Sequence, residues 1–132
     1  MRNGGRLDGR RILVAEDDAA TALMIEETLR EAGCVVIGPV ATVRDALALV
    51  ESETIECAIL DLELADGKAG PVAEALIKHG LRFVITTGHD PSLIELPYAS
   101  VPMVGKVFDM DDLLDTVADI VDRQPRAGTV SV

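Results

Sequence analysis

The sequence has few aromatic residues: they make up 2% of its 132 residues, with two Phe, one Tyr and no Trp. The core must therefore be built from aliphatic side chains, and a hydrophobic content of 48% supplies enough of them to exclude disorder throughout. A chain of this length fits one domain that buries its core without disulfides or metals.

Long hydrophobic runs are also missing. No stretch approaches the roughly 20 apolar residues that a membrane-spanning helix needs, and the polar, basic start of the chain has no apolar signal core. We therefore expect a cytoplasmic location and no membrane partner. The only cysteines, Cys34 and Cys57, fall in predicted strands and are interpreted as buried free thiols, since nothing indicates an oxidising compartment.

Positive charge is scarce, because 12 Lys and Arg stand against 23 Asp and Glu, which gives a formal net charge of −11. A nucleic-acid groove needs Lys and Arg to neutralise phosphates, so nucleic acid is excluded as a partner. The acidic balance instead favours metal cations and the basic surfaces of partner proteins.

Short β-branched runs predict five strands, at about residues 11–15, 34–38, 56–60, 82–86 and 101–105. The runs are almost continuously apolar, which is typical of parallel strands covered on both faces. Helical apolar spacing separates them, and Gly33 and Gly80 end the first and third predicted helices. The fourth helix, between Pro91 and Pro97, has little room and is expected to be short or irregular.

This alternation predicts an α/β domain of the flavodoxin-like (βα)₅ class, a three-layer sandwich with a parallel sheet of order 2-1-3-4-5. The domain is expected over residues 10–123, after a flexible N-terminal lead at 1–9 and before a flexible C-terminal tail at 124–132. The tail is too short to form an output domain.

Chemically active side chains fall at the predicted carboxyl ends of four strands. Glu16 and Asp17 follow the first strand, and Asp61 follows the third. Thr87 ends the fourth strand, and Lys106 follows the fifth. Ligands of such sheets bind outside the carboxyl ends of the strands, so we expect these groups to converge.

The acidic residues of this set predict a metal-dependent phosphate site. Carboxylates about 4–5 Å apart repel by several kcal/mol at an effective dielectric near 20. Such a cluster is tolerated if a cation neutralises it or if one carboxyl stays protonated. Oxygen ligands favour Mg²⁺ as that cation, with Mn²⁺ as an alternative. Asp61 is the best candidate nucleophile, because aspartate carboxylates form acyl phosphates, and Lys106 and Thr87 could contact phosphoryl oxygens. Alone, Asp17 or Asp18 could simply cap a helix, but the full set is hard to explain by chance.

At these residues the chain resembles the response-regulator receiver family, over roughly residues 11–122. The family's first strand and acidic pair are similar to residues 12–18, Ile-Leu-Val-Ala-Glu-Asp-Asp. Its phosphoacceptor loop is similar to residues 60–67, Leu-Asp-Leu-Glu-Leu-Ala-Asp-Gly. Thr87 and Lys106 match the family's hydroxyl residue and lysine.

The resemblance implies that a histidine kinase or a histidine phosphotransfer protein phosphorylates Asp61. It implies a Mg²⁺ site formed by Glu16, Asp17, Asp61 and the main-chain carbonyl of Glu63. Thr87 and Lys106 would contact the phosphoryl group. The chain would not be an enzyme with a separate substrate, since its chemistry is its own phosphorylation and slow dephosphorylation. It would signal by contact with a downstream protein target, and a homodimer stays open.

Three positions depart from the family pattern. Val107 follows the lysine where a proline is usual, often with a cis peptide, and a cis bond before Val would cost about 3–4 kcal/mol. The cost favours a trans peptide with a different aim of Lys106, but the choice between cis and trans before Val107 stays open. Met103 occupies the place of the usual aromatic switch residue, and Ala65 replaces a common proline. Residues 87–89, Thr-Gly-His, before the proline-bounded segment resemble single-domain receivers of alphaproteobacterial stress responses.

Two other functions stay open on the sequence alone. The departures at Met103 and Val107 are compatible with a receiver-fold binding module that acts independently of phosphorylation. An aspartyl-phosphate hydrolase of the haloacid-dehalogenase type also has a nucleophilic Asp after a strand. Such a hydrolase needs a second Asp two residues later, where this chain has Glu63.

Overall fold

The computed structural model describes residues 7–87, 103–105 and 110–123, and its central feature is a five-stranded parallel sheet. The strands of this sheet are β1 (Arg11–Ala15), β2 (Val35–Val40), β3 (Cys57–Asp61), β6 (Arg82–Thr87) and β7 (Met103–Gly105). Their order is β2-β1-β3-β6-β7, which confirms the predicted order 2-1-3-4-5 and the α/β flavodoxin-like class. A separate antiparallel hairpin is formed by β4 (Glu63–Leu64) and β5 (Gly67–Lys68).

Four helices lie within the described residues: α1 (Ala19–Glu31), α2 (Val43–Ser52), α3 (Gly70–Lys78) and α4 (Met110–Arg123). Gly33 and Gly80 follow α1 and α3 with φ angles of 91° and 71°, the left-handed conformation that ends helices. The short helix predicted between Pro91 and Pro97 lies outside the described residues. None of the helices in the described ranges is long and apolar enough to cross a membrane.

The helices cover both faces of the sheet and create two cores. Helices α1 and α4 pack on one face, where the strands bury Ile12, Val14, Ile59 and Val84. Helices α2 and α3 pack on the other, where the strands bury Leu13, Ala15, Leu60 and Ile85. Because successive residues of a strand point to opposite faces, both faces need apolar side chains. The continuous apolar runs in the sequence follow from this three-layer arrangement.

The N-terminal segment joins the fold before β1. Leu7 is fully buried in the core beneath α1 and α4, and the Gly9 amide donates to the Gly33 carbonyl at 2.8 Å. Residues 7–9 therefore pack with the domain, although the sequence patterns predict that the domain starts at residue 10. The remaining lead, 1–6, and the tail, 124–132, lie outside the described residues.

Candidate functional site

An acidic cluster lies at the carboxyl edge of the sheet, where β1 and β3 end. Glu16 and Asp17 follow β1 directly, and Asp61 is the last residue of β3. One carboxylate oxygen of each residue lies within 4.8 Å of the others. Adjacent strands explain this proximity, because Ala15 pairs with Leu60 and the next residue of each strand is acidic. The structure thus brings together three of the predicted site residues.

Two of these three carboxylates are buried in spite of their charge. Glu16 is 2% exposed and Asp61 is 4% exposed, whereas Asp17 is open to solvent. Charges held this close repel one another, and burial adds a desolvation cost to each ionised group. Carboxylate oxygens are the ligands that Mg²⁺ takes, and an exposed edge leaves room for the waters that it keeps. The residues present therefore fit a divalent cation.

Main-chain amides orient the two buried carboxylates. The Asp18 amide donates to Glu16 Oε2 at 3.0 Å, and the Glu63 amide donates to Asp61 Oδ1 at 3.1 Å. Asp18 itself has a different role as the N-cap of α1, since its carboxylate accepts from the Thr21 amide at 3.0 Å and from the Thr21 hydroxyl. The acidic cluster is therefore Glu16, Asp17 and Asp61, with Asp18 beside it as a helix cap.

Four other predicted residues lie in β6 or β7 or directly after β7 in the sequence. Thr87 ends β6, the strand next to β3, and its backbone pairs with Gly105 at the end of β7. Met103 is the first residue of β7. Lys106 and Val107 come directly after β7 and lie outside the described residues, so the roles predicted for them stay predictions.

The segment after Asp61 contains a feature that the sequence patterns did not predict. Strands β4 and β5 form a hairpin whose two-residue turn is Ala65 and Asp66. The Asp66 carboxylate accepts hydrogen bonds from the Val43 amide at 2.6 Å and from the Arg44 amide at 3.2 Å. These amides, the Val43 bond above all, lower the pKa of Asp66 below its usual value. The Asp-Gly pair does signal a turn, but nothing local indicates where its carboxylate binds.

Comparison with known proteins decides the family. No protein-family model matches the chain, and no curated protein matches it. The solution structure of SdrG from Sphingomonas melonis Fr1 is 36% identical, with a TM-score of 0.75, and the match covers 86% of this chain and 97% of that chain. A response regulator receiver domain protein (CheY-like) from Methanospirillum hungatei JF-1 is 25% identical, with a TM-score of 0.76 and coverage of 89% and 97%. This chain belongs to the response regulator receiver family.

A third similar solved structure contains a bound metal. The response regulator TrrA from Thermotoga maritima is 24% identical, with a TM-score of 0.75, and the match covers 84% of this chain and 98% of that chain. That receiver was solved in complex with Mg(2+)-BeF. The match to SdrG confirms the predicted resemblance to single-domain receivers of the alphaproteobacterial type. Membership of the receiver family also removes the hydrolase alternative.

Proposed function

We propose that this receiver domain accepts a phosphoryl group on Asp61 in a Mg²⁺-dependent reaction of two-component signalling. The observation that carries the proposal is the acidic cluster, whose three carboxylate oxygens lie within 4.8 Å of one another at the carboxyl edge of the sheet. The phosphodonor would be a histidine kinase or a histidine phosphotransfer protein. The phosphorylated domain would then act by contact with a downstream protein target.

The setting of Asp61 supports its role as the nucleophile. It ends β3, a strand whose five residues are all buried and which lies between β1 and β6. The backbone of Asp61 itself pairs with Thr86 of β6. Its Oδ1 is oriented by the Glu63 amide at 3.1 Å. Phosphoryl transfer depends on such positioning more than on covalent chemistry by the protein. An Asp61 carboxylate oxygen would form a bond to phosphorus while the donor's bond to phosphorus breaks, and the donor would leave with that electron pair.

The groups that would handle charge are proposed to come from the same edge of the sheet. The proposed ligands of Mg²⁺, or of Mn²⁺ in its place, are Glu16, Asp17, Asp61 and the main-chain carbonyl of Glu63. The bound cation would offset the negative charge of the phosphoryl oxygens during transfer. Thr87 and Lys106 are proposed to contact the phosphoryl group, since Thr87 ends β6 and Lys106 follows β7 in the sequence, and these are the two strands next in order after β3.

The proposed chemistry acts on the chain itself. It consists of self-phosphorylation from a donor and slow hydrolysis of the aspartyl phosphate, without turnover of a separate substrate. The net charge of −11 favours docking on basic protein surfaces. We also propose that the protein is cytoplasmic and that it passes on the signal by contact with another protein.

Intact-mass measurement after incubation with Mg²⁺ and acetyl phosphate tests this function. We expect one phosphoryl adduct on the wild-type chain, none when EDTA removes Mg²⁺, and none in Asp61→Asn. Asp45→Asn is the matched control, because Asp45 is an exposed carboxylate on α2, and this variant should keep the adduct. An unmodified wild type would overturn the proposal in favour of a phosphate-independent binding module. A full adduct in Asp61→Asn would also overturn it.

A further inference from the structure

The loop that carries Asp61 is held at its base. In this Asp61 loop, defined as residues 61–69, the Ala69 amide donates to the Leu62 carbonyl at 2.8 Å. Within it, Glu63 pairs with Lys68 across the hairpin. The loop therefore leaves β3, projects as a short ribbon and returns to the start of α3. Asp61 and Glu63 lie at its base, and Asp66 lies at its tip.

The tip of the loop is bonded to a different part of the fold. The Asp66 carboxylate accepts from the amides of Val43 and Arg44 at 2.6 and 3.2 Å, and the Ala65 amide donates to the Ala41 carbonyl at 2.9 Å. We call these three bonds the Asp66 joint. The joint connects the turn of the hairpin with the N-terminus of α2. A hairpin of two-residue strands has little stability of its own, so its position depends on the bonds at both ends and on the burial of the Leu64 side chain in the core.

Capping alone does not account for the Asp66 joint. Helix α2 already has a local N-cap in Thr42, whose hydroxyl accepts from the Asp45 amide at 3.1 Å. Asp66 accepts from the two amides before Asp45, those of Val43 and Arg44, although it lies 23 and 22 residues farther along the chain. Water could also satisfy those amides, because Asp66 is exposed. The joint is therefore expendable for the helix, and its distinctive consequence is the fixed position of the Asp61 loop.

We propose that Asp66 is a positioning residue, which holds the Asp61 loop against α2 so that the Asp61 carboxylate and the Glu63 main chain keep their places in the site. This inference rests on the proposed function of Asp61. Without the two Asp66 bonds, the tip of the loop would be held only by the Ala65 amide and by the buried Leu64 side chain. The Glu63 amide and carbonyl would then have more freedom to move relative to Glu16 and Asp17. Groups that orient metal ligands from outside the site typically change metal affinity by 10–100-fold when they are removed.

Three variants separate positioning from capping. Asp66→Ala removes the two acceptor bonds of the joint. Thr42→Ala is the matched control, because it removes an acceptor from the N-terminus of the same helix but leaves the Asp61 loop bonded. Freshly purified Asp66→Asn keeps one acceptor oxygen that can reach the Val43 amide but loses the charge and the second acceptor, so its behaviour should lie between that of Asp66→Ala and that of the wild type.

Two readouts apply to the full chain. Titration calorimetry with Mg²⁺ alone should show roughly tenfold weaker binding for Asp66→Ala and wild-type binding for Thr42→Ala. In the metal-free protein, NMR hydrogen exchange of the Glu63 amide should be faster in Asp66→Ala than in Thr42→Ala. That exchange depends on neither metal nor phosphate, so it reports the position of the loop directly.

The outcomes are distinct. Equal effects of Asp66→Ala and Thr42→Ala on both readouts, or no effect of Asp66→Ala, would overturn the positioning role. If Asp66→Ala does not fold, the comparison of Asp66→Asn with Thr42→Ala decides, and an Asp66→Asn affinity below that of Thr42→Ala supports the role. A wild-type chain that binds Mg²⁺ without taking a phosphoryl group would overturn the proposed function alone. A wild type that binds no Mg²⁺ would overturn both.

Discussion

Asp61 and Thr86 lie side by side in the sheet, as a register pair between β3 and β6. Two residues earlier on each strand, Ile59 and Val84 point into the core beneath α1 and α4, so strand alternation directs Asp61 and Thr86 to the same face. Thr86 is fully buried, and its hydroxyl has no hydrogen-bond partner in the part of the chain that the structure describes. Leaving such a group unsatisfied costs about 1–3 kcal/mol.

Removing this hydroxyl should stabilise the protein. Thr86→Val keeps the shape of the side chain without the buried polar atom, so the free energy of unfolding should rise by about 1 kcal/mol in urea titrations. Thr42→Val is the control, because the Thr42 hydroxyl accepts a bond at the start of α2, and its loss should cost about 1 kcal/mol. A destabilised Thr86→Val would contradict the prediction and mean that the hydroxyl has a partner.

Magnesium should raise the melting temperature. A ligand that binds only the folded state at ten times its Kd stabilises it by about 1.4 kcal/mol, and here it would also offset the repulsion among three close carboxylates. Asp17→Ala removes the exposed ligand and should lose most of the response to millimolar Mg²⁺ in a thermal-shift assay. Asp45→Ala, which changes a remote exposed carboxylate, should keep the full response. An unchanged response in Asp17→Ala would place the cation elsewhere.

Asp66 should make stability depend on pH in acid. Hydrogen bonds from Val43 and Arg44 lower its pKa in the folded state, so its contribution is fully present above about pH 4 and is lost as the pH falls through the lowered pKa. The stability difference between wild type and Asp66→Asn should therefore shrink between about pH 6 and about pH 3 in urea unfolding at low salt. Thr42→Ala removes a neutral cap and should show the same loss at both pH values.

Both cysteines should resist alkylation in the folded protein. Burial raises the pKa of Cys34 to about 11 and that of Cys57 to about 12, so both are protonated at neutral pH. Cys34 retains 7% exposure and Cys57 none, so slow labelling with iodoacetamide should begin at Cys34. Peptide mass spectrometry locates the label, and denaturant should make both sites react quickly. Rapid native labelling of Cys57 would show that β3 opens to solvent.

The sheet and the acidic cluster could be predicted because both follow from local sequence patterns and one general rule. Continuous apolar runs such as Ile12 to Ala15 indicate strands buried on both faces, and parallel strands bring their carboxyl ends to one edge. Glu16 immediately follows one such run and Asp61 ends another. Their proximity could therefore be predicted without knowing the conformation of any loop. Their roles in binding metal and phosphate remain predictions.

The details that escaped prediction depend on interactions between distant residues. The bond of Asp66 to Val43 joins residues 23 positions apart, and no periodic pattern encodes it. The sequence patterns end β2 too early, at residue 38, since Gly38 and Pro39 normally interrupt strands. Instead β2 continues to Val40, and Gly38 has a φ of 98°. A Cβ at Gly38 would lie 3.0 Å from the Val14 carbonyl oxygen, so only glycine lets β2 approach β1 there.

The position of β2 at the border of the sheet has a consequence for solubility. An outermost strand offers its free main-chain groups to any other extended chain, which is a common route to aggregation. In β2 the proline at position 39 has no amide hydrogen to donate. The glycine before it has a positive φ, which bends the strand edge so that another extended chain pairs with it less well. The same two residues that obscured the end of β2 in the sequence thus discourage the sheet from growing into a fibril.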